Sequence, residues 1–396
     1  MAISAALRAL VICCIAALAA AIPFSGDPSG NLTSSMTGGS KGSGSSGEAG
    51  ARRLLASCST ANPIDSCWMC DPDWSSHRQR LADCAVGFGA SAGGGRSGAI
   101  YTVTDSGNDN PADPKFGTLR YGVTRTEPLW IIFQGNMRIQ LEEELIVTSY
   151  KTIDGRGANV HIGDGACITL QDVTNVVIHG IHFSNCKSTG PARIMSSETH
   201  VGDRGKTDGD AVSIFSSSNI WVDHNSFESC ADGLVDVIQG STAVTISNNV
   251  FRNHDKVMLL GAHDSDYEDK NMKVTVCFNH FADGLTERMP RCRLGSFHIF
   301  NNLYDSGWQM YAIGGSGNPL INSEGNYFNA GSEKEVTKHL DGSGGDYRSS
   351  GDLFLNGAYF TPSGASTNSP LYARAKSFSP LPASQVPRMV QAGPTM

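Results

Sequence analysis

The chain is 396 residues long and 40% hydrophobic, enough for one large domain or two ordinary ones with a substantial core. Its net charge of −8 argues against a nucleic-acid binder, and an acidic polymer would need a local basic patch to be held against that field. Forty-five glycines, well above the usual share of about 7%, gather in one N-terminal tract and at turns throughout the body.

Residues 1–25 read as a secretory signal, with a weakly positive start at Arg8, an apolar run from Ala9 to Ala21 and small residues at its end. That run is shorter than the roughly 18 to 20 apolar residues of a spanning helix, so no membrane association is expected after cleavage. Residues 26–61 are dominated by Gly, Ser and small neighbours and are expected to form a linker, since such a segment buries too little to offset its ordering entropy. Asn31-Leu-Thr33 is a sequon, which makes Asn31 a candidate glycosylation site. Cysteine usage agrees with export: nine cysteines follow the signal, and disulfides are expected among Cys67, Cys70 and Cys84. Cys67-x-x-Cys70 lacks the second ligand pair of a zinc site and the βαβ setting of a redox motif.

Ser75 to Ala85 mixes polar residues around Leu81 and Ala82 and predicts a short capping helix. Beyond about residue 99, short β-branched runs alternate with Gly, Asn, Asp and Ser, and one phrase recurs. It reads Val176-Val-Ile-His-Gly-Ile-His-Phe183, Ile220-Trp-Val-Asp-His-Asn-Ser-Phe227 and Val244-Thr-Ile-Ser-Asn-Asn-Val-Phe251. It returns as Val274-Thr-Val-Cys-Phe-Asn-His-Phe281, Phe297-His-Ile-Phe-Asn-Asn-Leu-Tyr304 and Ile321-Asn-Ser-Glu-Gly-Asn-Tyr-Phe328. The terminal aromatics are 44, 24, 30, 23 and 24 residues apart. A unit of about two dozen residues, with a strand, an Asn-rich corner and an aromatic, cannot bury its own apolar face and must stack on its neighbours. An antiparallel sandwich also has short strands, but it does not repeat a side-chain phrase at fixed period. The expected fold is therefore all-β, a parallel β-helix over residues 62–364. Its long excursion around Cys186–Asp208 builds a binding face, and residues 365–396 form a loosely ordered tail.

Two groups of side chains stand out. Asp208 and Asp210, in Asp-Gly-Asp, and Asp232 and Asp236, in Asp-Gly-Leu-Val-Asp, would lie on successive coils and could supply oxygen ligands to a hard cation. The even separation of Asp232 and Asp236 would put both on one side of an extended segment. No EF-hand loop is present, and Asp-Gly pairs are also ordinary turn signals. Lys256 and the run Arg288-Met-Pro-Arg-Cys-Arg293 follow, offering a point charge and guanidinium forks to an acidic partner. Gly93-Gly-Gly95 lacks the spacing of a nucleotide loop.

Over residues 62–362 the chain resembles the plant-type pectate lyases of polysaccharide lyase family 1, which include pollen-allergen relatives. The phrases that carry the resemblance include Asn62-Pro-Ile-Asp-Ser-Cys-Trp, Arg80-Leu-Ala-Asp-Cys-Ala, Pro128-Leu-Trp-Ile-Ile-Phe and Thr152-Ile-Asp-Gly-Arg-Gly. Ile220-Trp-Val-Asp-His-Asn, Asp232-Gly-Leu-Val-Asp, Val257-Met-Leu-Leu-Gly, Arg288-Met-Pro-Arg-Cys-Arg and Tyr311-Ala-Ile-Gly-Gly continue it in order. The resemblance implies a right-handed, single-stranded parallel β-helix, secreted to the plant cell wall and acting as a monomer. It implies Ca2+ held by Asp210, Asp232 and Asp236 with Asp208 in support, substrate held by Lys256 and Arg293, and Arg288 as the base. The implied reaction is β-elimination on polygalacturonate, an acidic polysaccharide, leaving a 4,5-unsaturated end.

Three departures from the family pattern bear on rate. Ala262-His263-Asp264 follows Leu259-Leu-Gly261 where the histidine usually comes directly after the glycine, Glu287 stands where an uncharged residue is usual, and the segment Asp341–Tyr347 is short. They motivate an alternative, a catalytically weak pectin-binding wall protein. A β-helical polygalacturonase is disfavoured by the absence of its Asn-Thr-Asp and Arg-Ile-Lys signatures, and a pectin lyase by the presence of the acid cage.

Overall fold

The computed structural model describes residues 60–107, 110–340, 342, 344–364 and 378–390. The expected signal segment, Asn31 and nearly all of the linker lie outside the described residues. Within them the recurring phrase becomes one coil per repeat. Strands stack into three parallel sheets of ten, eight and nine strands, each strand pairing with its counterpart one coil away. The ten-stranded sheet runs from Ala99–Val103 to Asp346–Ser350, and the phrase supplies its successive strands Thr174–His179, Ser218–Asp223, Thr242–Ser247, Lys273–Cys277 and Ser296–Phe300. This is the expected parallel β-helix. One antiparallel hairpin, Ala192–Ser197 with His200–Arg204, lies inside the 44-residue repeat.

The phrase positions explain the register. Its fifth residue takes a left-handed backbone at every coil: Gly180, His224, Asn248, Phe278, Asn301 and Gly325 all have φ between 50° and 73°. Asn and Gly dominate there because they tolerate that conformation. The sixth residue builds a buried amide ladder. Asn225, Asn249, Asn279 and Asn302 each donate from Nδ2 to the Oδ1 of the next asparagine, ending on Asn326, at 2.9 to 3.1 Å. The eighth residue stacks inside the coil: Phe183, Phe227, Phe251, Phe281, Tyr304 and Phe328 have successive ring centroids 5.0, 5.2, 5.3, 4.6 and 4.6 Å apart. Such ladders satisfy polar groups that the interior would otherwise strand.

A second apolar cluster covers the outer face of the ten-stranded sheet, where Trp130, Val177 and Trp221 pack beneath Ile64, Trp68 and Leu81. The N-terminal cap differs from expectation. Residues 75–85 supply only a 3₁₀ turn, Arg78–Asp83, whereas the α-helix is Pro63–Trp68, with Asn62 as its N-cap and proline in its first turn. Cys67 is bridged to Cys84 and Cys70 is also disulfide-bonded. Cys167–Cys186, an unexpected bridge, fastens the start of the long excursion. The tail is not loose where it is described: Phe378 and Leu381 pack against this cluster, and Val386 and Met389 are buried in it. They bury because the outer sheet face is itself apolar and needs a cover.

Candidate active site

The eight-stranded sheet carries the acids and cations. Ser213, Asp236, Leu259, Arg291 and Gly314 lie in one register row across its strands. Asp236 is buried at the row's acidic end, with Oδ1 accepting from the Leu259 amide at 3.2 Å. Asp210 precedes the adjoining strand and accepts from the Gly233 amide at 2.8 Å. A Cβ on Gly233 would come within 2.3 Å of the Asp236 carboxylate, so only glycine leaves room for it. Asp232 sits on a bend before the strand Val235–Ile238, not on an extended segment. The even-spacing argument therefore does not describe its position; the turn at Asp232-Gly233 brings it to the site instead.

Four carboxylates within electrostatic reach repel one another. Burial, with Asp232 and Asp208 nearby, pushes Asp210 up to about 7. Burial, with Asp210 and Asp232 nearby, raises Asp236 well above the usual carboxylate range. An all-oxygen set of this kind, crowded and under-neutralised, fits a hard divalent cation.

The cations line the other side. Lys256 is in register with Glu287 on the neighbouring short strand, and its Nζ donates to Asp232 Oδ1 at 3.0 Å. Arg288 follows directly, held at φ +66°, a left-handed conformation that costs energy for any residue with a Cβ. Its carbonyl accepts from the Met258 amide at 2.8 Å, fixing its backbone to the sheet. Arg293 donates to the Gly261 carbonyl at 2.7 Å and lies 3.3 Å from Asp264. Gly261 allows this approach, since a Cβ there would meet Arg293 Cβ at 2.7 Å. Burial, then the neighbouring Arg291, lowers Arg293 from its ordinary value.

Arg288 is within electrostatic reach of Asp236, Lys256 and Arg293, so the structure brings the sequence-predicted acids and cations to one face. Arg291 shares this face, two residues before Arg293 on the strand Arg291–Arg293, with Cys292 between them turned into the core. It is covered there: it is buried and donates to Ser316 Oγ at 2.8 Å.

Sequence reasoning missed three supports, Asp264, Tyr311 and His254. Asp264 accepts from Ser316 at 2.7 Å and so ties Arg293 to the next coil. The Tyr311 hydroxyl is hydrogen-bonded to both Glu287 and Arg291, and burial pushes it up to about 12. Glu287, singled out already in the sequence, lies 3.4 Å from the Arg288 Nε. His254 donates to the Asp232 carbonyl at 2.5 Å, pinning the acidic bend. Only the strand register, which pairs Arg293 with Ser316, could have signalled the first. A separate cluster of His179, Asp223 and His224 has metal-like spacing, but Asp223 already accepts from both imidazoles, Ser247 and Asn248, so it is a satisfied ion network.

Residues 136–388 match the family model described as pectate lyase. The chain belongs to the pectate lyase family. It is 61% identical over 336 residues to probable pectate lyase 18 of Arabidopsis thaliana, covering 83% of this chain and 82% of the relative. Pectate lyase of Zinnia elegans is 56% identical over 352 residues, covering 86% and 87%. Among solved structures, Jun a 1, the major allergen from cedar pollen, superposes with a TM-score of 0.82 at 48% identity, over 85% of this chain and all of that one. A pectate lyase from Bacillus sp. N165 in complex with trigalacturonate shares the fold, with a TM-score of 0.57 at 22% identity over 78% of this chain and 98% of that one. A pectate lyase enzyme with a parallel β-helix is thus the setting for the residues above. Among the described residues no helix is long and apolar enough to cross a membrane.

Proposed function

We propose that this pectate lyase cleaves de-esterified homogalacturonan by calcium-dependent β-elimination, and that it does so after secretion to the plant cell wall. The observation that carries the proposal is the convergence of four aspartates with Lys256, Arg288 and Arg293 on one face of the eight-stranded sheet. Trigalacturonate, held by the Bacillus relative, has the required chemistry of uronates joined through O4. All seven side chains come from one chain, which suits a monomer.

Asp210, Asp232 and Asp236, with Asp208 in support, would hold calcium, which when bound supplies electron withdrawal from a uronate carboxylate and makes the adjacent C5–H more acidic. Arg293, anchored by Gly261 and Asp264, and Lys256, bonded to Asp232, would bind that carboxylate and the charge that develops on it. Arg288, a quarter exposed, is assigned the C5 proton. As that C–H bond breaks, its electron pair forms the C4=C5 double bond, and the C4–O4 bond breaks with its pair leaving on O4. Arginine is ordinarily cationic and offers no acceptor, so the role requires a cationic neighbourhood; Lys256 and Arg293 supply one.

The test is absorbance of the unsaturated uronide on polygalacturonate, with calcium and then with chelator. A calcium-dependent rise, lost in Arg288→Ala, is expected. A flat trace from folded protein would instead support the second reading, a weakly catalytic pectin-binding wall protein, which the Glu287–Arg288 contact favours.

A further inference from the structure

A cleft of about 430 Å³ is lined by Asp208 and Asp210 and bordered by Lys187, Lys206, Gln239 and His263. The two lysines belong to the long excursion and reach the cleft on a frame that is fastened at several points. Cys186 is bridged to Cys167, and the Lys187 amide donates to the Gly165 carbonyl at 2.7 Å. The segments on either side of the hairpin are stitched together: Thr189 donates to Thr207 Oγ1 at 3.0 Å, Thr207 donates back to the Thr189 carbonyl at 2.9 Å, and Ser188 bonds Thr207. Gly209 lets them close, because a Cβ there would sit 2.8 Å from the Ser188 nitrogen. Arg204 is already committed, with both Nε and Nη2 donating to the Glu144 carboxylate at 3.1 Å. Lys187 and Lys206 are exposed and enter no ion pair among the described residues.

We infer that Lys187 and Lys206 form a second carboxylate-recognition point for the same polymer, in the cleft that Asp208 and Asp210 line. The inference rests on the lyase reading for its substrate but not for its geometry. A fixed scaffold that presents two ammonium groups beside a cleft, in a chain of net charge −8, concentrates attraction for an anion at one place. A free uronate answers that charge and a methyl ester does not. The consequence is specificity: the enzyme prefers chains whose free carboxylates come in blocks over chains of equal esterification with scattered ones.

The test compares the full-length protein with Lys187→Ala/Lys206→Ala, using blockwise and randomly de-esterified pectin of one overall degree of esterification. Solvent-exposed charge pairs of this kind alter binding by about three- to tenfold when two are removed. KM on blockwise pectin should rise by that factor with kcat within about twofold, the preference for blocks should shrink, and Lys187→Arg/Lys206→Arg should keep both. A KM unchanged by the double substitution overturns the proposal. Binding of polygalacturonate with calcium, measured in an Arg288→Ala background with and without the two alanines, gives an answer that needs no turnover. A Kd raised about three- to tenfold supports the second point even if the wild type proves inactive, which would count against the lyase reading alone. An equal Kd, or no binding by the parent, refutes it.

Discussion

Among the described residues, Glu287 is the anion that pairs with the assigned base. Its carboxylate lies 3.4 Å from Arg288 Nε and is also bonded to Tyr311. An opposite charge at that distance favours the charged guanidinium, which works against proton abstraction. Replacing it should therefore help catalysis. In Glu287→Gln kcat on polygalacturonate should rise by about three- to tenfold at one fixed pH, with the amide still able to accept from Tyr311. An unchanged kcat would mean that Glu287 acts only as a spacer. Arg288→Ala should lower kcat by about 10²- to 10⁴-fold with little change in KM. Asp264→Ala tests a different contact. It removes the group that holds Arg293, so KM should rise while Arg288 is untouched, and Asp264→Asn should recover part of the loss. The aspartates and cations of this site were legible because each stands in a short phrase. Glu287 was legible as well, since it stands next to Arg288 in the chain, whereas Asp264 and Tyr311 became partners only through coil-to-coil register, which spacing along the chain does not display.

The helix Pro63–Trp68 is held to the coils by a buried charge. His224 lies between Asp223, 2.6 Å away, and Asp65 of that helix, 3.0 Å away. Burial opposes a charged imidazole, but Asp223 and Asp65 together outweigh it and push His224 up to about 10. The folded value lies above the ordinary 6.5. The stability this group contributes is therefore fully present below about 6.5 and lost as pH rises through about 10. Thermal melts should show Tm falling across that interval. His224→Gln should lower Tm at neutral pH, a loss of about 3–5 kcal/mol for breaking a buried pair, and should flatten the alkaline limb. A mutant with a lower Tm but the same slope between pH 7 and 10 would show that another group is responsible. The helix was hard to see in the sequence because it is only six residues long, although Asn62-Pro63 is a fair start signal. The 75–85 stretch looked more helical than it is: it is tied at its end by the Cys67–Cys84 bridge and gives a 3₁₀ turn.

At the scale of the whole molecule, the repeated phrase was enough to give the coil because each of its positions has a separate physical duty: a left-handed corner, an amide rung, a stacked ring. The Cys167–Cys186 bridge and the packing of Phe378–Val390 were not legible, since both depend on where long connections return to the stack. The same geometry makes stability nearly one-dimensional, as each coil touches chiefly the coil before and after it. The stacked rings can test this. Phe227 and Phe251 are neighbours with centroids 5.2 Å apart, whereas Phe227 and Phe328 are separated by Phe251, Phe281 and Tyr304. Each ring is fully buried, so Phe→Ala at any of them should cost about 3–5 kcal/mol in urea unfolding. The double substitution Phe227→Ala/Phe251→Ala should depart from additivity by about 0.5–3 kcal/mol, because the two cavities merge and share their relaxation. Phe227→Ala/Phe328→Ala should add to within about 0.5 kcal/mol. Equal coupling in both pairs would mean that strain passes through the whole stack, and the coils would then have to be treated as one rigid core instead of a chain of nearest neighbours.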